Sequence, residues 1–296
     1  MVYKRVEEVD FDRASLPHLP TPKNVLFTSP EHFDVAYVIN PHMAAHVGSV
    51  DTDVARAQWE TLRAAYKELG LNTHVLAGAA GYPDMVFCAN QTLPFYQNGD
   101  SNPGVVLSNM HADQRKGEVA HLESFFSSRR YTVKSVARLA FDFEGMGDAI
   151  WHPARKLLWG GYGFRTNIQV YENIASLLDV KVLVLELLDP DFYHLDTCFS
   201  VLNERTVMIY PGAFTQEGLD LIHHFFDHVI ECPEDESRKL FACNAHCPDQ
   251  RHVVIQKGCT VTNELLKAAG FVPVEVDTSE YIKAGGSVFC MKQMFW

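Results

Sequence analysis

The chain switches between two hydrophobic periods, and it does so five times. Short apolar runs rich in β-branched residues recur as "NVLFTS" from Asn24, "GVVLSNM" from Gly104, "KLLWGGY" from Lys156, "TVMIYPG" from Thr206 and "HVVIQKG" from His252. Each is bounded by Gly, Pro, Asn or Ser, the punctuation of a strand. Behind each run comes a helical pattern: "DTDVARAQWETLRAAYKELG", "ADQRKGEVAHLESFFSS", "NIQVYENIASLLD", "TQEGLDLIHHFFDH" and "TNELLKAAG". Asp51 or Thr52 caps the first and Gly70 closes it, Thr215 opens the fourth, and Thr262 and Gly270 bracket the fifth. Each helix gives way to a further strand: "THVLA", "YTVKSVA", "VKVLVLEL", "HVIECP" and "FVPVEVD".

A second extended stretch follows each of these strands, and it carries polar residues. The five stretches are "PDMVFCANQT", "AFDFEGMGDAI", "FYHLDTCFSVLN", "LFACNAHC" and "GGSVFCMK". Their reference points are Asn90, Glu144, His194, Asn244 and Cys290, roughly fifty residues apart, near the upper end of known repeat periods. The pattern reads as five β-α-β-β units without linkers, hence an α/β chain with one domain over 1–296 that opens on an N-terminal arm, 1–23. Stacked linearly, such units make a solenoid. Polar residues at one phase of every unit argue for a closed ring instead, because a ring brings them to a shared centre. That also explains why a thiol, Cys290, stands behind a Gly-Gly pair so near the end of the sequence.

Charge and composition narrow the function. The net charge is −12, and basic residues gather no further than adjacent pairs such as Arg129-Arg130, so no nucleic-acid partner is expected. No apolar run approaches the length of a membrane span, and the first residues lack the apolar core of a signal peptide. The seven cysteines are odd in number and irregular in spacing, which fits reduced thiols in the cytoplasm. "CNAHC", Cys243 to Cys247, has no second ligand pair of the kind a structural zinc needs, so these are read as small buried residues beside a turn. His246 and Cys247 have no assigned role. Phe295 and Trp296 call for a covered terminus, either by a partner subunit of a homo-oligomer or by the ring itself.

The shared centre would hold a nucleophile in Cys290, an acid/base in His194, and carboxylates in Glu144, Asp148 and Asp196. Carboxylates beside a thiol raise its pKa and suit an anionic substrate badly. They suit a cationic substrate that fills the gap. A guanidinium fits, being planar, always charged and forked to match carboxylates. Taken singly, each residue has a plainer role: Cys290 a small core residue, His194 a satisfied core histidine, "EGMGD" an acidic turn.

At "FEGMGDA", "GYGFRTN", "FYHLDTCF" and "AGGSVFCM" the chain resembles the guanidine-modifying penteins. This superfamily includes arginine deiminases, dimethylargininases, arginine–glycine amidinotransferases and bacterial arginine dihydrolases. The resemblance runs from "NVLFTSPEHFDVAYVINP" to the last residue. It implies a single catalytic domain, a five-bladed α/β propeller (pentein) of five ββαβ-type units around a pseudo-fivefold axis. It further implies that Cys290 attacks the guanidinium carbon to give a thiouronium adduct, and that His194 protonates the leaving amine and then deprotonates water. Glu144 and Asp196 would hold the guanidinium, Arg165 a substrate carboxylate, and Asp148 the floor of the site. Asn244 and Asn40 would line the substrate, although Asn40 before Pro41 also suits a turn cap. No metal and no cofactor would be needed.

"HFDVAYVINPHM", "PDMVFCAN" and "LFACNAH" most resemble the arginine dihydrolase-like branch, in which an Asn at the place of Asn90 goes with two hydrolytic rounds, from arginine to ornithine, CO2 and ammonia. Dimethylargininases and deiminases, which give citrulline, carry Asp there. Amidino transfer to an amine is a further alternative, as is a non-catalytic pentein binding protein. One departure stands out: where several relatives place a carboxylate-binding Arg, this chain has Asn109. Arg115, six residues on, is read as a solvated helix residue.

Overall fold

Five small sheets, each built on one central strand, make up the computed structural model, which describes residues 1–96, 103–136 and 141–296. Ala137 and Ala140, at the ends of two of the expected strands, lie outside the described residues. In chain order, β1 (Val2–Tyr3) precedes β2 (Asn24–Thr28), α1 (Thr52–Glu68) and β3 (Asn72–Leu76). Next come β4 (Thr92–Phe95), β5 (Gly104–Leu107), α2 (Glu118–Ser128) and β6 (Thr132–Ser135). The one-turn α3 (Gly145–Asp148) leads into β7 (Ala149–Trp151), β8 (Leu157–Tyr162), α4 (Val170–Leu178) and β9 (Lys181–Glu186). Then follow β10 (Phe199–Val201), β11 (Thr206–Ile209), α5 (Gln216–Phe225) and β12 (His228–Glu231). Last come α6 (Glu234–Leu240), β13 (His252–Gln256), α7 (Thr260–Ala268), β14 (Val272–Val276), α8 (Ser279–Ile282) and β15 (Gln293–Phe295).

The sheets repeat one rule. A central strand (β2, β5, β8, β11 or β13) pairs in parallel with the strand beyond its helix. Parallel neighbours need a crossover, and the amphipathic helices supply it. On its other edge the central strand meets an antiparallel partner: β15, β4, β7 and β10 in four sheets, and a single bridge, His246 to Val254, in the fifth. The third strand of each sequence unit therefore pairs with the unit that follows, and ββαβ is the grouping of the sheets. β1 adds to the edge of β9. Central strands are buried on both faces, which is why Val105-Val106, Leu157-Leu158-Trp159 and Val253-Val254-Ile255 read as unbroken apolar runs.

Caps agree with the sequence at Asp51, whose carboxylate accepts from the amides of Asp53 and Val54, and at Thr215, which accepts from Gly218. The fifth helix differs, since α7 begins at Thr260 and the Thr262 hydroxyl is spent on Glu236 Oε2 at 2.6 Å. α6, α8 and β1 were not foreseen; they are too short to show a period. The final aromatics are covered by the chain itself. Phe295 is 2% exposed and its ring meets those of Phe125 and Phe126, while Trp296 Nε1 donates to Pro20 O at 2.6 Å.

Candidate active site

The stretches expected to be extended are, for most of their length, tight turns. Asn90 lies two residues before β4, Glu144 opens α3 before β7, and His194 opens a 3-10 turn (Leu195–Thr197) before β10. Asn244 lies two residues before the His246 bridge, and Cys290 three before β15. Every one thus stands just ahead of the antiparallel strand of its sheet. A turn can aim a side chain off the sheet where a strand would bury it against a neighbour.

The glycines of "EGMGD" and "AGGS" make these turns fit together. Gly145 has φ +52°, and a Cβ there would stand 2.6 Å from the carbonyl oxygens of Asn90 and Thr92. A Cβ on Gly147 would come within 2.2 Å of Asn90 Nδ2. Gly285, at φ +84°, leaves no room beside Asn40 and the Tyr193 hydroxyl.

Two catalytic-type pairs result. His194 Nε2 lies 2.6 Å from Glu144 Oε2, both groups buried, and Glu144 Oε1 accepts the His111 amide at 3.0 Å. Burial alone would raise the Glu144 pKa. The hydrogen bond and charge of His194, with Arg165 and Arg115 behind, outweigh it and hold the carboxyl at about 2. In the second pair the Cys290 thiol donates to Asp196 Oδ2 at 3.1 Å. Burial, and then the Asp196 charge, push this thiol well above the usual range. Burial likewise raises Asp196 to about 7.

Asn244 fixes the second pair. Its Nδ2 donates to Cys290 Sγ at 3.2 Å and to Asp196 O at 2.8 Å, while its Oδ1 accepts the amides of Ser287, Phe289 and Cys290. Asp148 does a similar service for the first. It accepts the Thr166 hydroxyl at 2.6 Å and the Leu195 amide at 3.0 Å, holding the turn that carries His194. Burial raises Asp148 to about 6.

His194 and Cys290 open onto one pocket, whose wall also includes Asn40, Asn90 and Arg165. Asp148, Asp196, Glu144 and Asn244 stand behind that wall. The turn cap expected of Asn40 is present: its Oδ1 accepts from His42 N, while its Nδ2 donates to Ala284 O in the pocket wall. Arg165 lies with its guanidinium 4.8 Å from the Tyr193 ring centroid, donates to Ile39 O at 2.5 Å and sits 3.5 Å from Glu144 Oε2.

Arg115 is not the solvated residue expected. It is 4% exposed, lines the pocket, and donates to Asn90 Oδ1 at 3.0 Å, to the carbonyls of Asp84 and Phe87, and to Glu118 at 2.9 Å. A three-residue turn before α2 (Asp113–Arg115) swings it inward, so the helical period does not predict its direction. Asn109 bridges backbone to Phe143 and donates to Phe141 O at 2.9 Å, outside the pocket wall. Sequence reading missed Asp84. It lines the pocket 1% exposed, beside the Tyr37 hydroxyl and the charges of Arg115 and Arg165. The signal available was a charged residue inside the otherwise apolar "PDMVFCA". His246 is half-buried and stacks on Tyr66, Nδ1 to hydroxyl 2.9 Å, and belongs to the packing.

The fold and site have known counterparts. A family model described as N,N dimethylarginine dimethylhydrolase, eukaryotic, matches residues 39–295. The N(G),N(G)-dimethylarginine dimethylaminohydrolase of Mycobacterium tuberculosis is 36% identical over 271 residues, covering 92% of this chain and 85% of that protein. The bifunctional arginine dihydrolase/ornithine cyclodeaminase ArgZ of Synechocystis is 34% identical over 277 residues, covering 90% of this chain. The chain spans 37% of the length of that relative and of its Nostoc counterpart. A solved N-terminal domain of an ArgZ variant, covalently bound to a reaction intermediate, superposes with a TM-score of 0.84 at 33% identity, over 92% of this chain and 97% of that one.

Proposed function

Because the chain belongs to the N,N dimethylarginine dimethylhydrolase family, we propose that it is a cysteine-dependent hydrolase acting at the guanidinium carbon of arginine or an arginine derivative. The observation that carries this reading is the meeting of His194 and Cys290 in one pocket, each backed by its own buried carboxylate. The raised thiol pKa suits a cationic substrate, whose charge lowers the cost of the thiolate on arrival. The Cys290 thiol passes its proton to Asp196 Oδ2 and Sγ attacks the guanidinium carbon; the C–N bond then breaks as His194 delivers a proton to the leaving nitrogen. His194 then takes a proton from water, which attacks the thiouronium carbon and frees the sulfur.

The remaining residues take roles by position. Glu144 orients His194 and the guanidinium, Asp196 and Asn244 hold the thiol, and Asp148 steadies the His194 turn. Arg165 takes a substrate carboxylate. Asp84, a buried carboxyl in the pocket wall, takes a substrate ammonium. Arg115 is engaged on every nitrogen and serves to orient Asn90.

Arginine to ornithine, CO2 and ammonia is the favoured outcome. It is supported by the neutral amide of Asn90 in the wall and by the likeness to the arginine dihydrolases ArgZ and AgrE. Release of citrulline from a methylated arginine is the second reading, supported by the family model. We read the five sheets as blades of a five-bladed propeller, in keeping with the β15–β2 pairing, which brings the two ends of the repeat together. We read the chain as one catalytic domain with residues 1–23 as its arm. The seven free cysteines suit the cytoplasm.

Product analysis tests the proposal. Pure protein is incubated separately with L-arginine, dimethylarginine, agmatine, and arginine plus glycine, and products are read by mass spectrometry. Ornithine with ammonia from arginine alone is the expected result. Citrulline moves the assignment to the second reading, and silence on all four substrates overturns both.

A further inference from the structure

Behind the nucleophile lies a charged group that the reaction above leaves unused. Lys292 is two residues beyond Cys290, in the turn before β15, and it is fully buried. Lysine is almost never buried unless paired. Here Nζ makes no hydrogen bond within the described protein, and its recorded contact is the face of Phe289, 3.3 Å from the ring centroid. A ring face offsets only part of the cost of burying an ammonium. Asp196 is half in the same condition: Oδ2 accepts the Cys290 thiol, while Oδ1 is buried without a partner.

Four titratable groups feel the Lys292 charge, and they come from four segments. They are Asp196 in the turn before β10, Cys290 in its own turn, Cys88 before β4, and His246 in the bridge beside β13. Glu144 adds its charge to Asp196 from the other side. The two cysteines and the histidine are neutral when their pKa values follow their burial, so Asp196 is the negative charge closest in kind to what Lys292 lacks.

We propose that Lys292 is a positioning residue for the Cys290 step, its ammonium serving as the countercharge of the Cys290–Asp196 pair. The pair shares one proton and one negative charge. Before attack the S–H bond is intact and the charge rests on Asp196. When the nucleophile forms, the S–H bond breaks and an O–H bond forms on Asp196. The electron pair left on sulfur then carries the charge. The Lys292 charge acts on both Asp196 and Cys290, so it offsets the charge on oxygen or on sulfur. The substrate guanidinium faces the same sulfur from the pocket side. Burial brings both the ammonium of Lys292 and the carboxyl of Asp196 to about 7, where a change in either charge moves the other.

This inference rests on Cys290 being the nucleophile, and its test does not need the substrate to be known. The rate of Cys290 alkylation by iodoacetamide is followed against pH by residue-resolved mass spectrometry, in wild type and in Lys292→Met. The Met side chain is one atom shorter, keeps the unbranched apolar stem and removes the charge. The expected result is an alkylation rate about tenfold lower in Lys292→Met at and below about pH 7, where the ammonium is charged, with the two profiles converging at alkaline pH, where Lys292 is neutral. On a substrate that is turned over, kcat falls by a similar factor with KM within about twofold. Superimposed alkylation profiles would reduce Lys292 to core packing and overturn the proposal. Should Lys292→Met fail to fold, 13Cε-lysine NMR of wild type and Asp196→Asn replaces it. The Lys292 resonance is expected to titrate about one unit lower in Asp196→Asn, and an unchanged midpoint overturns the coupling. Turnover retained in Cys290→Ala would sink the nucleophile assignment instead, whatever the alkylation profiles show.

Discussion

Asn244 grips Cys290 at both ends of the residue: Oδ1 accepts the Cys290 backbone amide at 3.4 Å, and Nδ2 donates to its sulfur at 3.2 Å. One side chain thereby sets both the turn and the thiol it presents. Asn244→Ala leaves the buried amides of Ser287 and Phe289 without their side-chain acceptor as well. We expect a loss of about 1–3 kcal/mol in stability, read by denaturant titration, and a larger fall in kcat than in stability. An unchanged kcat would show that the grip is not needed for chemistry.

Cys290→Ala is expected to abolish turnover with the melting temperature within a few degrees of wild type, because a thiol-to-methyl change is small. On the proposed mechanism, His194→Ala keeps the nucleophile but removes the proton donor and the base for water. Incubation with a turned-over substrate should give a covalent adduct, seen as a mass increase on the Cys290 peptide.

Asn90→Asp places a charge where Arg115 Nη1 already donates, so the fold should hold. The expected effect is on chemistry: a shift of product from ornithine toward citrulline. Product ratios by mass spectrometry decide it, and an unchanged ratio removes Asn90 from the choice of outcome.

Arg115→Ala tests a structural role against a substrate-binding one. Arg115 and Glu118 form a buried pair at 2.9 Å, 4% and 0% exposed. Removing one partner strands the other charge, at a cost of about 3–5 kcal/mol. Pairing it with Glu118→Gln should recover a large part of that loss. Recovery of stability by the double variant, measured by thermal melting, is the sign of a structural pair.

Asp148 gives a pH signature. Burial raises its carboxyl to about 6 from an ordinary 3.8, so the folded state holds this proton more tightly than the unfolded state. The resulting stability is fully present below about 3.8 and is lost as pH rises through 6. Asp148→Asn does not titrate. Its stability relative to wild type should therefore improve between pH 4 and pH 7, by roughly 2–3 kcal/mol. Parallel stability curves for the two proteins would contradict the raised value.

Much of this was legible along the chain. Hydrophobic period and turn residues marked the strands, the five main helices and the spacing of the polar stretches, because those signals are local: a β-branched run or a capped amphipathic stretch commits its own backbone. The order of carboxylate, histidine and late cysteine pointed to one centre. Tertiary structure decided the rest. The sheet each third strand joins was decided by the fold, since strand pairing is a contact between distant segments. The polar stretches proved to be turns, because packing of Gly145, Gly147 and Gly285 against Asn90, Asn40 and Tyr193 outweighs the extended preference of their neighbours. Arg115 points inward because Glu118, Asn90 and two carbonyls together satisfy its guanidinium, a sum of partners no single stretch displays. Asp84 and Lys292 stayed invisible for the same reason. A buried charge looks like a surface charge in sequence, and only the surrounding atoms show that water has been removed from it.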